Sequence, residues 1–260
     1  MLEGVSAGGG RSDGRWLVRR FAEVDSTNRY ALDAARAGEP AGLVVVADHQ
    51  TAGRGRLDRS WVAPPGSSLL VSVLLRPRGV VGDAYRAVMA SSVALVDAIT
   101  EIAGFAPQLK WPNDVTAARE HKLAGILAEQ ADDALVVGIG CNVNWDSVGF
   151  EAVADVGLMP ATACNVEAGH PVDRDELLDA FLDALSIRLD AGETIVSEYR
   201  ARLDTLGRRV RVQRPDGNLL GDAVDVDDDG ALIVRDDQGR DHRIVAADVV
   251  HMRSERPRAG

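Results

Sequence analysis

Between two apolar runs, Leu43–Ala47 and Leu69–Leu75, the chain carries Gln50-Thr51-Ala52-Gly53-Arg54-Gly55-Arg56-Leu57-Asp58-Arg59-Ser60-Trp61. No other stretch restricts the fold as strongly. Short apolar runs bounded by turn residues read as buried strands, so the segment between them is a loop joining two strands. Glycine lets a backbone approach a ligand closely or take φ > 0. Arginine offers a forked set of donors for phosphate or carboxylate. The loop therefore reads as an anion holder. A solvated surface loop and an Arg-Gly contact to nucleic acid are the competing readings. A dinucleotide fingerprint is excluded, because Asp58 stands where Gly or Ala is needed and a strand follows where a helix is needed.

The formal net charge of −11 over 260 residues decides between these readings. Such a chain repels polyanions, so a local cluster of arginines suits a small anionic ligand better than nucleic acid. The length allows one large domain, or a large and a small one. The two cysteines, Cys141 and Cys164, make no disulfide framework and imply a reduced compartment. The histidines show no metal-ligand spacing. No apolar run is long enough for a membrane span, and the Gly- and Ser-rich start lacks a secretory core. A cytoplasmic protein with no membrane partner and no nucleic-acid partner is expected.

Residues 1–14 read as a disordered tail. A first strand is expected over Trp16–Val24, then a helix opened by Ser26-Thr27-Asn28, whose hydroxyls and amide either cap it or line a polar pocket at its start. Strands are expected at Gly42–Asp48 and Ser68–Arg76, and a helix at Tyr85–Ala103 that ends at Gly104. In Lys110-Trp111-Pro112-Asn113-Asp114 the proline bars a regular ladder, so a strand end and turn follow. Lys122–Glu129 and Ala134–Cys141 read as a hairpin. Gly125 inside the first of these strands marks a close approach by backbone or ligand. Residues Trp145–Gly169 read as irregular, and Asp173–Leu189 and Ile195–Leu203 as helices. From Gly207 short alternating strands with regular turns predict a small antiparallel barrel, which sets a domain boundary near 206. Asp225-x-Asp227-x-Asp229-Gly230 imitates a calcium loop but lacks the closing Glu and helical flanks, and reads as an acidic turn.

Taken in order, Gln50-Thr-Ala-Gly-Arg-Gly-Arg-x-x-Arg-x-Trp61, Lys110-Trp-Pro-Asn-Asp114, Lys122-Leu-Ala-Gly-Ile-Leu127 and Gly140-x-Asn142, with Ser26-Thr27-Asn28 upstream, resemble the signature of the biotin protein ligases. The resemblance covers about residues 20–255. It implies an α+β fold: a mixed sheet packed with helices over 15–206, as in the class II synthetase-like biotin/lipoate ligases, then an SH3-like β-barrel over 207–255. It also implies a two-step reaction. Biotin is activated by ATP, with Mg²⁺, to biotinyl-5′-AMP, and a lysine of a biotin carboxyl carrier domain then takes the biotinyl group.

By that resemblance, Ser26, Thr27, Asn28 and Gln50 hold biotin's ureido head, with Gly53, Gly55 and Gly125 leaving room. Arg54, Arg56 and Lys122 meet the carboxylate and then the adenylate phosphate. Arg59, Trp61, Lys110 and Asn142 serve the nucleotide. Asp114 orients Lys110 or the metal, and Asn142 shares the Mg²⁺ neighbourhood. Asp58 departs from the glycine that many members have. A lipoate ligase, a biotin-sensing repressor and a non-catalytic binding protein are the alternatives. A repressor would carry a helix-turn-helix ahead of the catalytic part, where this sequence has only about twenty residues. A homodimer is compatible with the family.

Overall fold

The computed structural model describes residues 14–57, 59–77, 83–146, 150, 159–214, 217–245 and 248–252. Asp58 and most of the segment before Met159 lie outside the described residues, so neither the expectation for Asp58 nor most of that for 145–158 is addressed.

A seven-stranded sheet carries the larger part, in the order β1-β2-β3-β7-β6-β5-β4. Its strands are β1 (Leu17–Val24), β2 (Leu43–Gln50), β3 (Ser68–Leu75), β4 (Gln108–Lys110), β5 (Asp114–Thr116), β6 (Lys122–Ala131) and β7 (Ala134–Asn142). Only β1 and β2 pair in parallel, across α1 (Thr27–Arg36), and the remaining ladders are antiparallel. The sheet is therefore mixed, as expected. β7 is the central strand, and β3 beside it is buried along its whole length.

The two faces of the sheet are covered differently. One takes α1, through Ala31, Leu32 and Ala35 against Phe21, Leu43, Val45 and Leu74. The other takes α2 (Asp83–Ala103), α4 (Arg174–Leu189) and α5 (Thr194–Arg202). Helix α2 is rich in Ala and Ser, and it is buried on nearly all sides from Ala87 to Ile99 rather than along one stripe. Gly104 ends it in the left-handed region at φ 74°. Asp173 caps α4, accepting from the amides of Asp175 and Glu176. Leu177, Leu178, Phe181, Leu182 and Leu185 then fill the layer beneath, each such side chain contributing roughly 1.5–3 kcal/mol on burial. A short helix, α3 (Cys164–Ala168), interrupts the stretch read as irregular. Its five residues carry no apolar periodicity that could have announced it.

The last strands form a separate five-stranded antiparallel sheet, β11-β10-β9-β8-β12. They are β8 (Arg209–Gln213), β9 (Leu219–Val226), β10 (Leu232–Arg235), β11 (Asp241–Ile244) and β12 (Asp248–His251). The apolar side chains of this small β domain join the same buried cluster as those of α2 and α4. The acidic stretch is a turn, as expected. Asp227 Oδ1 accepts from the amides of Asp229 and Ala231, and its other oxygen meets Arg243 at 2.5 Å. No helix among the described residues is long and apolar enough to cross a membrane.

Candidate active site

The arginine loop folds back on itself at the end of β2. The Gly55 amide donates to Arg59 O at 2.6 Å, the Trp61 amide donates to Gly53 O at 3.0 Å, and Arg54 pairs with Ser60 across the loop. Neither glycine uses a positive φ; in this loop that conformation falls to Leu57, at 55°. The glycines serve close packing instead. A Cβ on Gly53 would stand 2.4 Å from Trp61 O, and one on Gly55 would stand 3.3 Å from Arg59 O.

Beneath the loop lies a cavity of ≈ 230 Å³. Of the residues singled out from sequence, Ser26, Thr27, Asn28, Gln50, Arg54, Gly55, Arg56, Arg59, Trp61, Lys110, Asp114, Lys122, Gly125 and Asn142 all line it, and Gly53 alone does not. The topology explains the convergence. The N-terminus of α1 and the C-terminal end of β2 open on one side, the β4–β5 turn and the start of β6 on the other. β6 and β7 form the floor.

Trp61 lies on that floor. Gly125 and Gly140 face each other across the β6–β7 ladder, and together they make a flat bed for the indole. A Cβ on Gly140 would reach within 2.4 Å of the ring, and one on Gly125 within 3.1 Å. Lys122 Nζ stands over the same ring, 5.6 Å from its centroid. The close approach expected at Gly125 is therefore made by Trp61.

One end of the cavity is a web of hydrogen bonds among hydroxyl and amide side chains, with Glu129 at its edge. The Thr27 amide and hydroxyl both donate to Gln50 Oε1, at 2.8 and 3.0 Å. A backbone N–H can only donate, so the oxygen of the Gln50 amide must face Thr27, and its NH₂ group turns towards Gly53. Ser72 Oγ lies 2.8 Å from Thr27 Oγ1 and 2.6 Å from Asn28 Oδ1. Asn28 Nδ2 donates to Glu129 Oε2 at 2.8 Å and towards Leu127 O at 3.2 Å. Ser26 caps α1, its Oγ accepting from the Arg29 amide at 3.5 Å. The capping and pocket-lining readings of these residues both hold.

The other end is charged. Arg54 Nη2 meets both oxygens of Glu129, at 2.7 and 2.6 Å. Arg56 donates to Asn113 Oδ1 at 3.2 Å. Lys122 Nζ pairs with Asp114 Oδ1 at 2.6 Å. Asp114 was expected to orient Lys110 or the metal; its direct ion pair is with Lys122, because the register sets β5 between β4 and β6. Lys110 is buried, only 6% exposed. Its Nζ lies 2.8 Å from Met159 Sδ, a weak acceptor. Burial pulls the ammonium below the ordinary lysine range, an effect that Glu120 and Asp114 partly offset. Asn142 is buried, and its Nδ2 donates to Thr162 O at 2.9 Å. Its Oδ1 has no hydrogen-bond partner among the described residues.

Several residues at or beside the cavity were not singled out as site residues from the sequence. Glu129 sits on β6 beyond the motif and becomes important only when Arg54 folds onto it. Ser72 is a hydroxyl inside an apolar run, a signal that was available. Gly138 and Gly140 lie two residues apart, hence on one face of β7, and a Cβ on Gly138 would fall 1.9 Å from Asn28 Oδ1. Val249 and Val250 reach the cavity from the small sheet, which nothing in the sequence announced.

A cavity with a polar hydrogen-bonding end and a cationic end, closed over by a folded loop, suits a small acid whose carboxylate meets a second anionic group. Comparison with known proteins agrees. Residues 21–146 match the model of the biotin/lipoate A/B protein ligase family, and residues 205–252 match the biotin protein ligase C-terminal domain. The biotin–[acetyl-CoA-carboxylase] ligase of Mycobacterium tuberculosis is 37% identical over 242 residues, 89% of this chain and 88% of that protein. The bifunctional ligase/repressor BirA of Bacillus subtilis is 31% identical over 87% of this chain and 71% of its own length. Among solved structures, the biotin protein ligase from Aquifex aeolicus in complex with biotin and ATP superposes with a TM-score of 0.76 at 28% identity, covering 90% of this chain and 99% of that one. The chain belongs to the biotin protein ligase family.

Proposed function

We propose that this protein activates biotin with ATP and transfers it to a lysine of a biotin carrier domain. Family membership supports the reaction. The single cavity that gathers both the hydrogen-bonding and the cationic residues supports the assignment of roles.

The hydrogen-bonding end takes the ureido head. Gln50, whose oxygen is committed to Thr27, presents N–H donors to a carbonyl, while Ser26, Thr27 and Asn28 supply hydroxyl and amide partners. The acyl chain runs past Trp61, whose indole fills the Gly125–Gly140 bed. The carboxylate reaches the cationic end, where Arg56 and Lys122 meet it. One carboxylate oxygen attacks the α-phosphorus, its bond to the α,β-bridging oxygen breaks, and pyrophosphate leaves with that oxygen. Charge accumulates on the α-phosphate oxygens, and Arg56, Lys122 and the desolvated Lys110 stabilise it. Charge-assisted hydrogen bonds of this kind are worth about 1.5–3 kcal/mol each. Arg54, held by Glu129, anchors the loop and adds its field. Arg59 and Trp61 cover the adenylate, and closure keeps water from the mixed anhydride. In the second step the neutral amine of the acceptor lysine attacks the acyl carbon, AMP leaves, and the lysine sheds a proton.

Asn142 offers an unpartnered buried Oδ1 to the nucleotide. Mg²⁺ accompanies ATP in this reading. The oxygen atoms of Asp114 and Asn142 suit a hard cation, and the ion would neutralise phosphate charge. The acceptor is a biotin carboxyl carrier domain, and the enzyme acts in the cytoplasm. The test is pyrophosphate release by the purified protein with ATP and Mg²⁺. Release that depends on biotin supports the assignment, and release without regard to biotin would remove it.

A further inference from the structure

The last strand of the small sheet ends on a histidine that the reaction above does not use. The side chain of His251 is 2% exposed. Its Nε2 lies 3.2 Å from Thr205 Oγ1, and the same Oγ1 accepts the Trp111 amide N–H at 2.9 Å. The Trp111 indole donates to Gly230 O in the small sheet at 2.9 Å. Trp111 follows Lys110 directly, so the turn that carries Lys110 and Asp114 is tied at its backbone and at its ring.

Four charged groups face the imidazole. Glu120 Oε2 is 3.2 Å from Nδ1 and Asp204 Oδ2 is 4.0 Å away. Arg208 pairs with both of these residues, at 2.9 and 2.7 Å. Lys110 acts through space. The guanidinium already between the carboxylates argues against a metal ion there. Carboxylates on the Nδ1 side favour a proton on Nδ1. The neutral ring then presents its lone pair at Nε2, and the Thr205 hydroxyl donates to it. That orientation leaves the Thr205 oxygen lone pairs for the Trp111 amide. Burial, together with Lys110, holds the ring below the ordinary histidine range, so it is neutral at neutral pH.

We propose that His251 is a positioning residue for the nucleotide half of the reaction: through Thr205 it holds Trp111, and with it Lys110, at the cationic end of the cavity. This rests on the ligase reading above. Protonation turns Nε2 from acceptor to donor and adds a cation beside Lys110 and Arg208. The Thr205 hydroxyl must then rotate, and the turn loosens.

The experiment is calorimetric titration of wild type, His251→Ala and His251→Gln with α,β-methylene-ATP in the presence of biotin, and separately with biotin alone, from about pH 5.5 to 8. Losing the link through Thr205 should weaken nucleotide-analogue binding about tenfold in His251→Ala while biotin binding moves less than about twofold. The wild-type affinity for the analogue should fall on acidification. His251→Gln, whose amide can still meet Thr205, should recover most of the affinity and lose that pH step. An analogue affinity in His251→Ala within about twofold of wild type would overturn the proposal, as would equal losses for biotin and analogue. Wild type that binds neither ligand would sink the ligase reading, and this inference with it.

Discussion

Arg54 Nη2 lies 2.7 and 2.6 Å from the two carboxylate oxygens of Glu129, and Asn28 Nδ2 lies 2.8 Å from one of them. Glu129 thus joins the arginine loop to the hydrogen-bonding end of the cavity. Without it, Arg54 loses its anchor and the buried Asn28 loses an acceptor. Glu129→Ala should weaken biotin binding by about 1–2 kcal/mol, since Arg54 is 40% exposed and water partly replaces the lost bond. Glu129→Gln, which keeps one acceptor, should cost less. Calorimetric biotin affinities check the order.

Gly138 is placed against Asn28 so closely that a methyl group cannot be added without moving the amide. Gly138→Ala should reduce biotin affinity by more than about tenfold while the thermal midpoint stays within a few degrees of wild type. Equal biotin affinities in the two proteins would mean that Asn28 has no part in holding the ligand.

Trp61 packs on the Gly125–Gly140 bed at the floor of the site. Gly140→Ala displaces the indole, whose atoms lie as close as 2.4 Å to the added carbon. The expected result is slower adenylate formation together with a shift in tryptophan fluorescence. Trp61→Ala should leave biotin binding nearly intact but shorten the lifetime of the bound anhydride, read as biotin and AMP released without acceptor.

Lys122 and Asp114 form the one ion pair described between the β4–β5 turn and β6 at the cavity. Lys122→Ala should cut adenylate formation by about 10²–10³, the scale of losing one preorganised charged donor. Single-turnover pyrophosphate release measures it.

Lys110 titrates below the ordinary lysine range because burial disfavours its charge. A bound phosphate restores the charged form, so the Lys110 pKa rises on binding. Between the free and bound values nucleotide binding must take up a proton, and affinity must fall as pH rises through that window. Calorimetry in buffers of different ionisation enthalpy reads the proton directly. Proton release in that window would contradict the placement of Lys110 on phosphate.

Much of this architecture was written locally. The apolar runs around the arginine loop became β2 and β3, the Ser26 cap opened α1, and Lys122–Ala131 and Ala134–Asn142 paired as a hairpin. The motif residues gathered around one cavity because the start of α1, the loop after β2, the β4–β5 turn and the β6–β7 ladder all border it. Side-chain partners were not legible. Asp114 prefers Lys122 over Lys110, and Arg54 meets Glu129, only because the register and the folded loop place them so. The brace from His251 to Trp111 joins residues 140 positions apart and needed the docked small sheet. The loop glycines were read partly for the wrong reason: they make room for Trp61 and Arg59 and do not use positive φ.

Acyl-adenylate formation tests the central claim most directly. The purified protein is incubated with ATP and Mg²⁺ and either biotin or lipoate, and the product is identified by mass spectrometry. The account predicts biotinyl-5′-AMP from biotin and no adenylate from lipoate. Lipoyl-AMP, or no adenylate from either acid, would contradict it.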